Sequence, residues 1–194
     1  MVTLPDKILR GKDRQTDIEH LLGKPIEMTA PGERQMLCWV LPPWQRLEVW
    51  EQARKRAFVE GIFLGLGTGF YVAHQPDWDA NGVKPMSGWL LDGQQRLSAI
   101  RDFVQDELTV FDGVRYSDLS LVQKRMRFLN NNFPYVEIPY TADENLLREL
   151  YMRLNFSGVA HTEADRALLQ GAPAHFAHDL AGVEPDNDFE RERG

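Results

Sequence analysis

The sequence predicts an α+β domain with a small mixed sheet and flanking helices. Short apolar runs bounded by glycine or proline alternate with longer segments whose apolar residues recur every three or four positions. The chain has 194 residues, of which 43% are hydrophobic and 10% aromatic, and this content is sufficient for one packed core. No internal repeat or low-complexity tract is present. These observations favour one ordinary globular domain.

The composition argues against several classes of protein. A formal net charge of −7 disfavours a broad duplex-binding surface, because such surfaces draw their affinity from clustered lysine and arginine. No apolar run reaches the roughly 18 residues that a membrane helix requires, so we expect a soluble protein without membrane contact. Cys38 is the only cysteine, which excludes an internal disulfide and suits a reducing cytoplasm.

The first third of the chain is predicted to contain one strand and two helices. Residues 1–33 are interpreted as an N-terminal extension with a short helix that ends at Gly23. Residues 34–41, which include Cys38, are predicted to form one strand, because two prolines stop the run. Apolar residues at helical spacing then predict one helix from Trp44 to about Gly61. Its predicted apolar face contains Leu47, Trp50, Ala53, Ala57 and Phe58.

The remaining elements continue the alternation of strands and helices. A buried strand at 89–92 leads directly into a helix whose apolar face recurs every three or four residues. Further predictions are a strand at 69–74, a hairpin with an Asp-Gly turn in 108–116, a helix at 117–129 capped by Ser117 or Asp118, and an edge strand at 135–140. A helix at 142–154, with Tyr151 and Leu154 among its buried residues, and another helix from Thr162 follow. The domain is expected to run from residue 34 to residue 170, and the charged tail at 182–194 of the C-terminal segment 171–194 is expected to fray.

The strand-to-helix junction at 89–100 carries the most chemistry, in the run Asp92-Gly93-Gln94-Gln95-Arg96. Unpartnered N–H groups at a helix start form an anion site, and glycine allows a phosphate to approach the backbone. Arg96 suits phosphate oxygens. Asp92 would repel them unless a cation lies between, which predicts Mg²⁺ at Asp92. The alternative is an ordinary helix start with an Asp92–Arg96 pair across one turn.

This run resembles the DGQQR signature of GmrSD-type N-terminal domains, which occur in modification-dependent restriction systems within the ParB/sulfiredoxin-like superfamily. Two more segments are similar to the family in the expected order. Residues 41–50 match its early proline-aromatic-Gln-Arg segment, and residues 150–167 match its late Arg-x-Asn segment. The resemblance spans roughly residues 34 to 168.

The resemblance implies a ParB/sulfiredoxin-like fold that binds a nucleoside triphosphate in a cleft formed by all three segments and hydrolyses it slowly, GTPase-like, with a divalent metal. The residues that it carries over for the phosphates and the metal are Asp92, Gly93, Gln94, Gln95 and Arg96. Those that approach from the other two segments are Gln45, Arg46, Arg153 and Asn155. Independently of the resemblance, a tryptophan could stack on the base. Most tryptophans are expected to be core residues, and the best stacking candidate among Trp44, Trp50, Trp78 and Trp89 is Trp44, because it adjoins Gln45 and Arg46. The residues alone leave alternatives open: Asn155 also suits a helix C-cap, and Gln45 and Arg46 suit a first-turn pair with Glu48 or Glu51.

Full-length members carry a second, nuclease domain, and too few residues follow residue 168 here to form it. We therefore expect a stand-alone sensor or regulatory domain of a phage defence or counter-defence system, acting with a nucleic acid or a defence protein as partner. Two alternatives are a binding module in which the nucleotide is only a switch and a small DNA nuclease that uses the same acidic site. The sequence does not address the oligomeric state.

Other candidate motifs are weaker. The glycine-rich run at 61–69 lacks the Lys-Ser or Lys-Thr of a phosphate-binding P-loop. His175 and His178 share a helical spacing, but two histidines without a third ligand are ordinary helix residues more often than a metal site. His161 is expected to face solvent. Cys38 is expected to be an inert buried thiol.

Overall fold

A computed structural model describes residues 7–24 and 32–156, all within one compact unit, Met1–Val159. The α+β class is confirmed. The strands are β1 (Lys12–Arg14), β2 (Arg34–Met36), β3 (Trp39–Leu41), β4 (Tyr71–His74), β5 (Trp78–Asp79), β6 (Gly82–Val83), β7 (Leu90–Asp92) and β8 (Tyr135–Ile138). The helices are α1 (Ile18–Gly23), α2 (Gln52–Phe63), α3 (Gln94–Val104), α4 (Leu121–Lys124, continued by a π-helical turn over Arg125–Leu129) and α5 (Glu144–Phe156).

The main sheet is mixed and has the strand order β1-β8-β4-β7. β4 and β8 are parallel, whereas β1 and β7 each run antiparallel to their neighbour. β8 therefore lies inside the sheet, and the prediction that it is an edge strand is wrong. Pro139 comes directly after Ile138, the last paired residue of β8. The proline marks the end of the strand, where it removes no hydrogen bond from the ladder.

The sheet is buried on both faces. Tyr71, Ala73 and Leu90 pack against α1, α2, α3 and the π-helical turn, whereas alternate residues such as Val72 and Leu91 pack against α5. This alternation follows from the two-residue period of a strand. α3 and α5 therefore lie on opposite faces of the sheet, and the carboxyl end of β7 lies between them.

The region interpreted as an N-terminal extension is part of the fold. β1 pairs with β8 over three residues. Ile18 and Leu21 of α1 are 0% and 1% exposed, so the helix contributes to the core. Asp17 caps α1, because its carboxylate accepts the N–H of His20 at 2.7 Å. The predicted end of this helix at Gly23 is confirmed.

Residues 34–41 form a hairpin rather than one strand. β2 and β3 pair with each other, and Leu37 turns the chain with a φ of 54°, which a leucine rarely adopts. Cys38 lies in this turn and is buried. Burial raises the pKa of its thiol to about 11, which favours the protonated form at neutral pH, and a protonated thiol is a poor nucleophile.

α2 begins at Gln52, eight residues after the predicted start at Trp44. Residues 42–51, here called the connecting segment, are irregular. The Gln95 side chain holds this segment, since its Oε1 accepts the N–H groups of Val49 and Trp50 at 3.0 Å each. Leu47, assigned to the buried face of a helix, is 73% exposed.

Two other boundaries differ from the predictions. α4 begins after Ser120, which forms a capping box with Gln123, and not after Ser117 or Asp118. The turn around Asp112 is a short 3-10 helix closed by one bridge between Val110 and Val114. The predicted helix from Thr162, and with it His161, His175 and His178, lies outside the described residues. None of the helices in the described part of the chain is long and apolar enough to cross a membrane.

Candidate functional site

The turn between β7 and α3 begins the site. Gly93 has a φ of 98° and is the N-cap of α3, without a side-chain cap. A Cβ at Gly93 would lie 2.4 Å from Cβ of Tyr71 on β4, a distance that real atoms do not reach. Glycine is therefore required for packing of the turn on the sheet, and not only for the close approach of a phosphate. The first N–H groups of α3 remain without a side-chain acceptor.

A cavity of about 210 Å³ opens at this turn. It is smaller than the roughly 300–1,000 Å³ of typical small-molecule sites, so it fits the phosphate end of a nucleotide rather than the whole molecule. All three segments singled out by the resemblance contribute to its wall. The lining residues are Gln45, Arg46, Trp50, Asp92, Gly93, Gln94, Gln95, Arg96, Tyr151, Leu154 and Asn155.

The charge of the cavity wall differs in sign from that of the chain. The wall contains two arginines and one aspartate, a formal charge of +2 − 1 = +1, whereas the whole chain carries −7. Arg46 is half-buried and has no hydrogen-bond or ion-pair partner within residues 7–24 and 32–156. Its guanidinium is therefore the cation that remains available to an anion.

Arg96 is already engaged. Its Nη2 donates to Oδ2 of Asp92 at 2.8 Å and to the carbonyl of Phe70 at 2.7 Å. The pair across one helical turn, which the sequence offered as an alternative, is therefore formed. The Nε of Arg96 is buried without a partner among the described residues. Arg96 thus holds Asp92 in place and keeps one donor unused.

The glutamines of the wall are buried and only partly bonded. Gln45, Gln94 and Gln95 are 5%, 5% and 8% exposed. Gln95 uses Oε1 to hold the connecting segment, but its Nε2 has no partner in the part of the chain that the structure describes, and neither has Oε1 of Gln45. Buried polar atoms are almost always hydrogen-bonded. Together with Nε of Arg96, two buried donors and one buried acceptor of the wall residues lack partners among the described residues.

α5 contributes the far wall. Nδ2 of Asn155 donates to the carbonyls of Leu91 and Tyr151, at 3.2 and 2.9 Å. Asn155 lies inside α5, so it does not cap the helix, and its bond to Leu91 ties α5 to β7. Arg153 does not line the cavity: its side chain is exposed and pairs with Glu149 at 3.1 Å.

Trp44 does not line the cavity either. It is 6% exposed, its Nε1 donates to Glu144 at 3.0 Å, and its ring packs against Trp89 and Tyr151. Trp44 is therefore a core residue that joins the connecting segment to α5. Trp50 lines the cavity instead. The sequence favoured Trp44 over Trp50 for stacking on a base, because Trp44 adjoins Gln45 and Arg46 and helical spacing placed Trp50 on a buried face.

Tyr151 and Leu154 were predicted as core residues and also line the cavity. The signal for both was in the sequence, because residues three and four apart share a helix face. Tyr151 lies four positions before Asn155, which the resemblance had already assigned to the site, and Leu154 lies three positions after Tyr151. Helical spacing from Asn155 could therefore have identified these two apolar residues as part of the site.

A buried network of charges lies beside the site. Lys55, 5% exposed, contacts Asp102 at 2.6 Å and Glu48 at 2.8 Å. Arg101 contacts the same two carboxylates, at 2.6 and 3.0 Å. Burial opposes ionisation of Glu48, but hydrogen bonds from Lys55 and Arg101 outweigh it and lower the pKa of Glu48. Because Glu48 belongs to the connecting segment, the network anchors that segment to α2 and α3.

Asp92 is the one carboxylate among the described residues of the cavity wall. Mg²⁺ typically uses one or two protein carboxylates and takes its other ligands from phosphate oxygens and water. The pair with Arg96 uses Oδ2 of Asp92, so Oδ1 remains for a cation. The donor set therefore fits Mg²⁺ when a phosphate is bound beside it.

The chain matches no protein-family model, no curated protein and no solved structure. The resemblance to GmrSD-type domains accordingly rests on its three motifs alone.

Proposed function

We propose that this protein binds a nucleoside triphosphate with its phosphates at the first turn of α3, and hydrolyses it slowly with a divalent cation. The proposal includes a role as a sensor or regulatory domain of a phage defence or counter-defence system, which derives from the resemblance to GmrSD-type domains. A ParB/sulfiredoxin-like origin of the fold belongs to the same proposal.

One observation carries the proposal: a half-buried arginine without an ionic partner and three unsatisfied buried polar atoms surround the open start of a helix. A helix start favours negative charge, because its N–H groups and the helix dipole point toward the ligand. Arg46 supplies a planar, permanently charged donor that suits phosphate oxygens. These features together select an anion with several acceptor oxygens.

The side chains of the wall divide the work. Arg46 and the N–H groups after Gly93 would bind and neutralise phosphate oxygens. Gln94 lines the cavity, and its side chain has no hydrogen bond to another segment among the described residues. It would orient a water toward the terminal phosphate. Gln95 is less suited to that task, because its Oε1 already accepts two N–H groups of the connecting segment.

Asp92 would hold the divalent cation, and the cation would withdraw charge from the phosphate oxygens it contacts. Arg96 would keep the Asp92 carboxylate oriented through its 2.8 Å bond. Without a cation, Asp92 would repel the phosphates, so we expect tight binding only when a divalent metal is present.

Thermal unfolding with each of the four ribonucleoside triphosphates tests the proposal, with Mg²⁺ and with a chelator. A ligand at one hundred times its Kd stabilises the native state by about 2.7 kcal/mol, which raises Tm by roughly 5–10 °C for a domain of this size. We expect this increase with Mg²⁺ and a much smaller one in chelator. Asp92→Ala removes the cation ligand and the repulsion together, so its increase should no longer depend on Mg²⁺. Absence of any increase with all four nucleotides would contradict the proposal.

Phosphate release and plasmid nicking, measured side by side, separate the three hypotheses. Slow phosphate release without nicking supports the proposal. Binding without turnover supports the module in which the nucleotide is only a switch. Nicking that Asp92→Ala abolishes supports the nuclease. Arg125→Ala serves as the control, because Arg125 is an exposed residue whose ion pair with Glu19 lies on the surface.

A further inference from the structure

The five tryptophans of the chain differ sharply in their surroundings. Trp39, Trp44 and Trp89 are at most 6% exposed and belong to the core. Trp78 is 49% exposed on the β5–β6 hairpin. Trp50 is half-buried and is the one tryptophan among the residues lining the cavity. It is therefore the aromatic side chain of this type that a bound molecule can reach.

Trp50 is held in position at its backbone. Oε1 of Gln95 accepts the N–H of Trp50 at 3.0 Å, and Gln95 belongs to the first turn of α3. On the preceding side, Glu48 is fixed by Lys55 and Arg101. The distance between Trp50 and the phosphate-binding turn is thus set by direct hydrogen bonds rather than by a free loop.

The Trp50 ring is also held in orientation. The Arg54 guanidinium lies over the ring, 4.7 Å from its centroid, and Phe58 contacts it edge-on with ring centroids 5.8 Å apart. The ring remains partly exposed and lines the cavity. A base stacked on the ring would complete a layered arrangement of guanidinium, indole and base.

The cavity volume of about 210 Å³ also favours a base position beside Trp50. Typical ligand sites have a volume of roughly 300 Å³ or more. Because this cavity is smaller, phosphates would fill it and the base would lie at its mouth. Leu154 and Tyr151 form the apolar part of the wall on α5, so the base would lie between them and the connecting segment.

We propose that Trp50 stacks on the base of the nucleotide whose phosphates occupy the turn after Gly93, and that it makes the site prefer nucleotides to bare polyphosphate. The inference rests on the proposed function. Base-aromatic stacking is sequence-tolerant, because every base has a π face. Trp50 would therefore select for the presence of a base more than for its identity.

Calorimetric titration with nucleoside triphosphate and with inorganic tripolyphosphate, both with Mg²⁺, tests the inference. Wild type should bind the nucleotide about tenfold more tightly than tripolyphosphate. Trp50→Leu should lose most of that preference while its affinity for tripolyphosphate stays within about twofold, and Trp50→Phe should retain part of it. Trp78→Leu is the matched control and should change neither affinity.

Tryptophan fluorescence gives a second readout. Nucleotide should quench part of the emission of wild type and of Trp78→Leu, and should quench Trp50→Phe much less. Equal affinities of wild type for the two ligands, or an equal loss of both affinities in Trp50→Leu with unchanged thermal stability, would overturn the stacking role and leave the phosphate site intact. Failure of wild type to bind either ligand would overturn the proposed function itself.

Discussion

Two clusters of arginine and carboxylate side chains lie at α3, one along its C-terminal half and one at its N-terminal turn. They differ in how completely their charges are paired. At the middle and C-terminal half of α3, Arg101 and Asp102 meet Lys55 and Glu48, so that two positive and two negative groups pair completely. At its N-terminal turn, Arg96 pairs with Asp92, but Arg46 has no ionic partner in the described parts of the chain. The first cluster is balanced, and the second carries an excess positive charge.

This difference distinguishes a cluster that stabilises the fold from a cluster that the proposed function uses. Buried charges are tolerated when they are paired and hydrogen-bonded, and the network around Lys55 meets this condition. The cavity wall does not, since three of its buried polar atoms lack partners. The unsatisfied atoms of the second cluster support the proposal that it binds a ligand. The variants below separate the two clusters, from the largest effect to the smallest.

The largest loss of stability is expected for Gly93→Ala. The new Cβ would lie 2.4 Å from Cβ and 3.2 Å from Cα of Tyr71, so α3 and β4 must separate, and φ of 98° is strained for alanine. The two effects together should lower the free energy of unfolding by about 4 kcal/mol. Urea unfolding measures this loss.

Gly82→Ala is the matched control for that variant. Gly82 also has a positive φ, of 117°, but a Cβ there would meet no atom within 4 Å. It should therefore show only the conformational strain, about 1 kcal/mol. If both variants lost equal stability, the contact with Tyr71 would not be the reason for glycine at position 93.

The balanced cluster is tested by Lys55→Met. Removing the ammonium leaves Asp102, 4% exposed, with one cation instead of two, and should cost about 3 kcal/mol. Urea unfolding should show this loss, whereas Lys12→Met, at an exposed position of β1, should change stability by less than about 0.5 kcal/mol. A loss below about 1 kcal/mol for Lys55→Met would show that the network contributes little to stability.

Gln95 joins the two clusters, and two variants separate its roles. Gln95→Leu removes the acceptor of two N–H groups and should cost about 2 kcal/mol. Gln95→Glu keeps an acceptor and should retain most of the stability, but its added negative charge should weaken triphosphate binding at least tenfold. Urea unfolding and calorimetry on both variants provide the comparison. Equal stability of the two variants would contradict the anchoring role.

The smallest expected effect is a dependence on pH through His74. His74 is buried, with Nδ1 2.7 Å from the carbonyl of Met86 and Nε2 accepting the N–H of Thr141 at 2.9 Å. Burial lowers its pKa below the usual value of about 6.5. The unfolded chain therefore binds this proton first, and stability should fall as the pH drops through 6.5. Tm measured from pH 8 to 5 should show the decline, and a His74→Gln variant should flatten it.

Local patterns predicted the strand-turn-helix at 89–104 well, because its glycine, its buried strand and its helical apolar face all lie within one stretch of sequence. The capping box of Ser120 and Gln123 also depends only on neighbouring residues, although the predicted cap was Ser117 or Asp118. The start of α2 at Gln52 could not be predicted from neighbouring residues. It depends on the side chain of Gln95, 46 residues away from Val49, and no local pattern contains such a contact.

The candidate site shows the same division. The motifs predicted which three segments line the cavity, but not which residue of each segment faces it. Trp44 and Trp50 belong to one segment, yet an irregular backbone turns Trp44 into the core and Trp50 toward the cavity. The pairing of Arg96 with Asp92, which the sequence offered as an alternative, is formed in the structure. In the proposed function it leaves Arg46 as the main arginine for the phosphates.

The most direct test is a calorimetric titration of wild type, Arg46→Ala and Arg125→Ala with a nucleoside triphosphate and Mg²⁺. Arg46 has no partner within the described structure, so its removal should change stability by less than about 0.5 kcal/mol and weaken triphosphate binding at least tenfold, the loss of about one charged hydrogen bond. Arg125→Ala should bind like wild type. Equal affinity of Arg46→Ala and wild type, or no binding by wild type, would contradict the account.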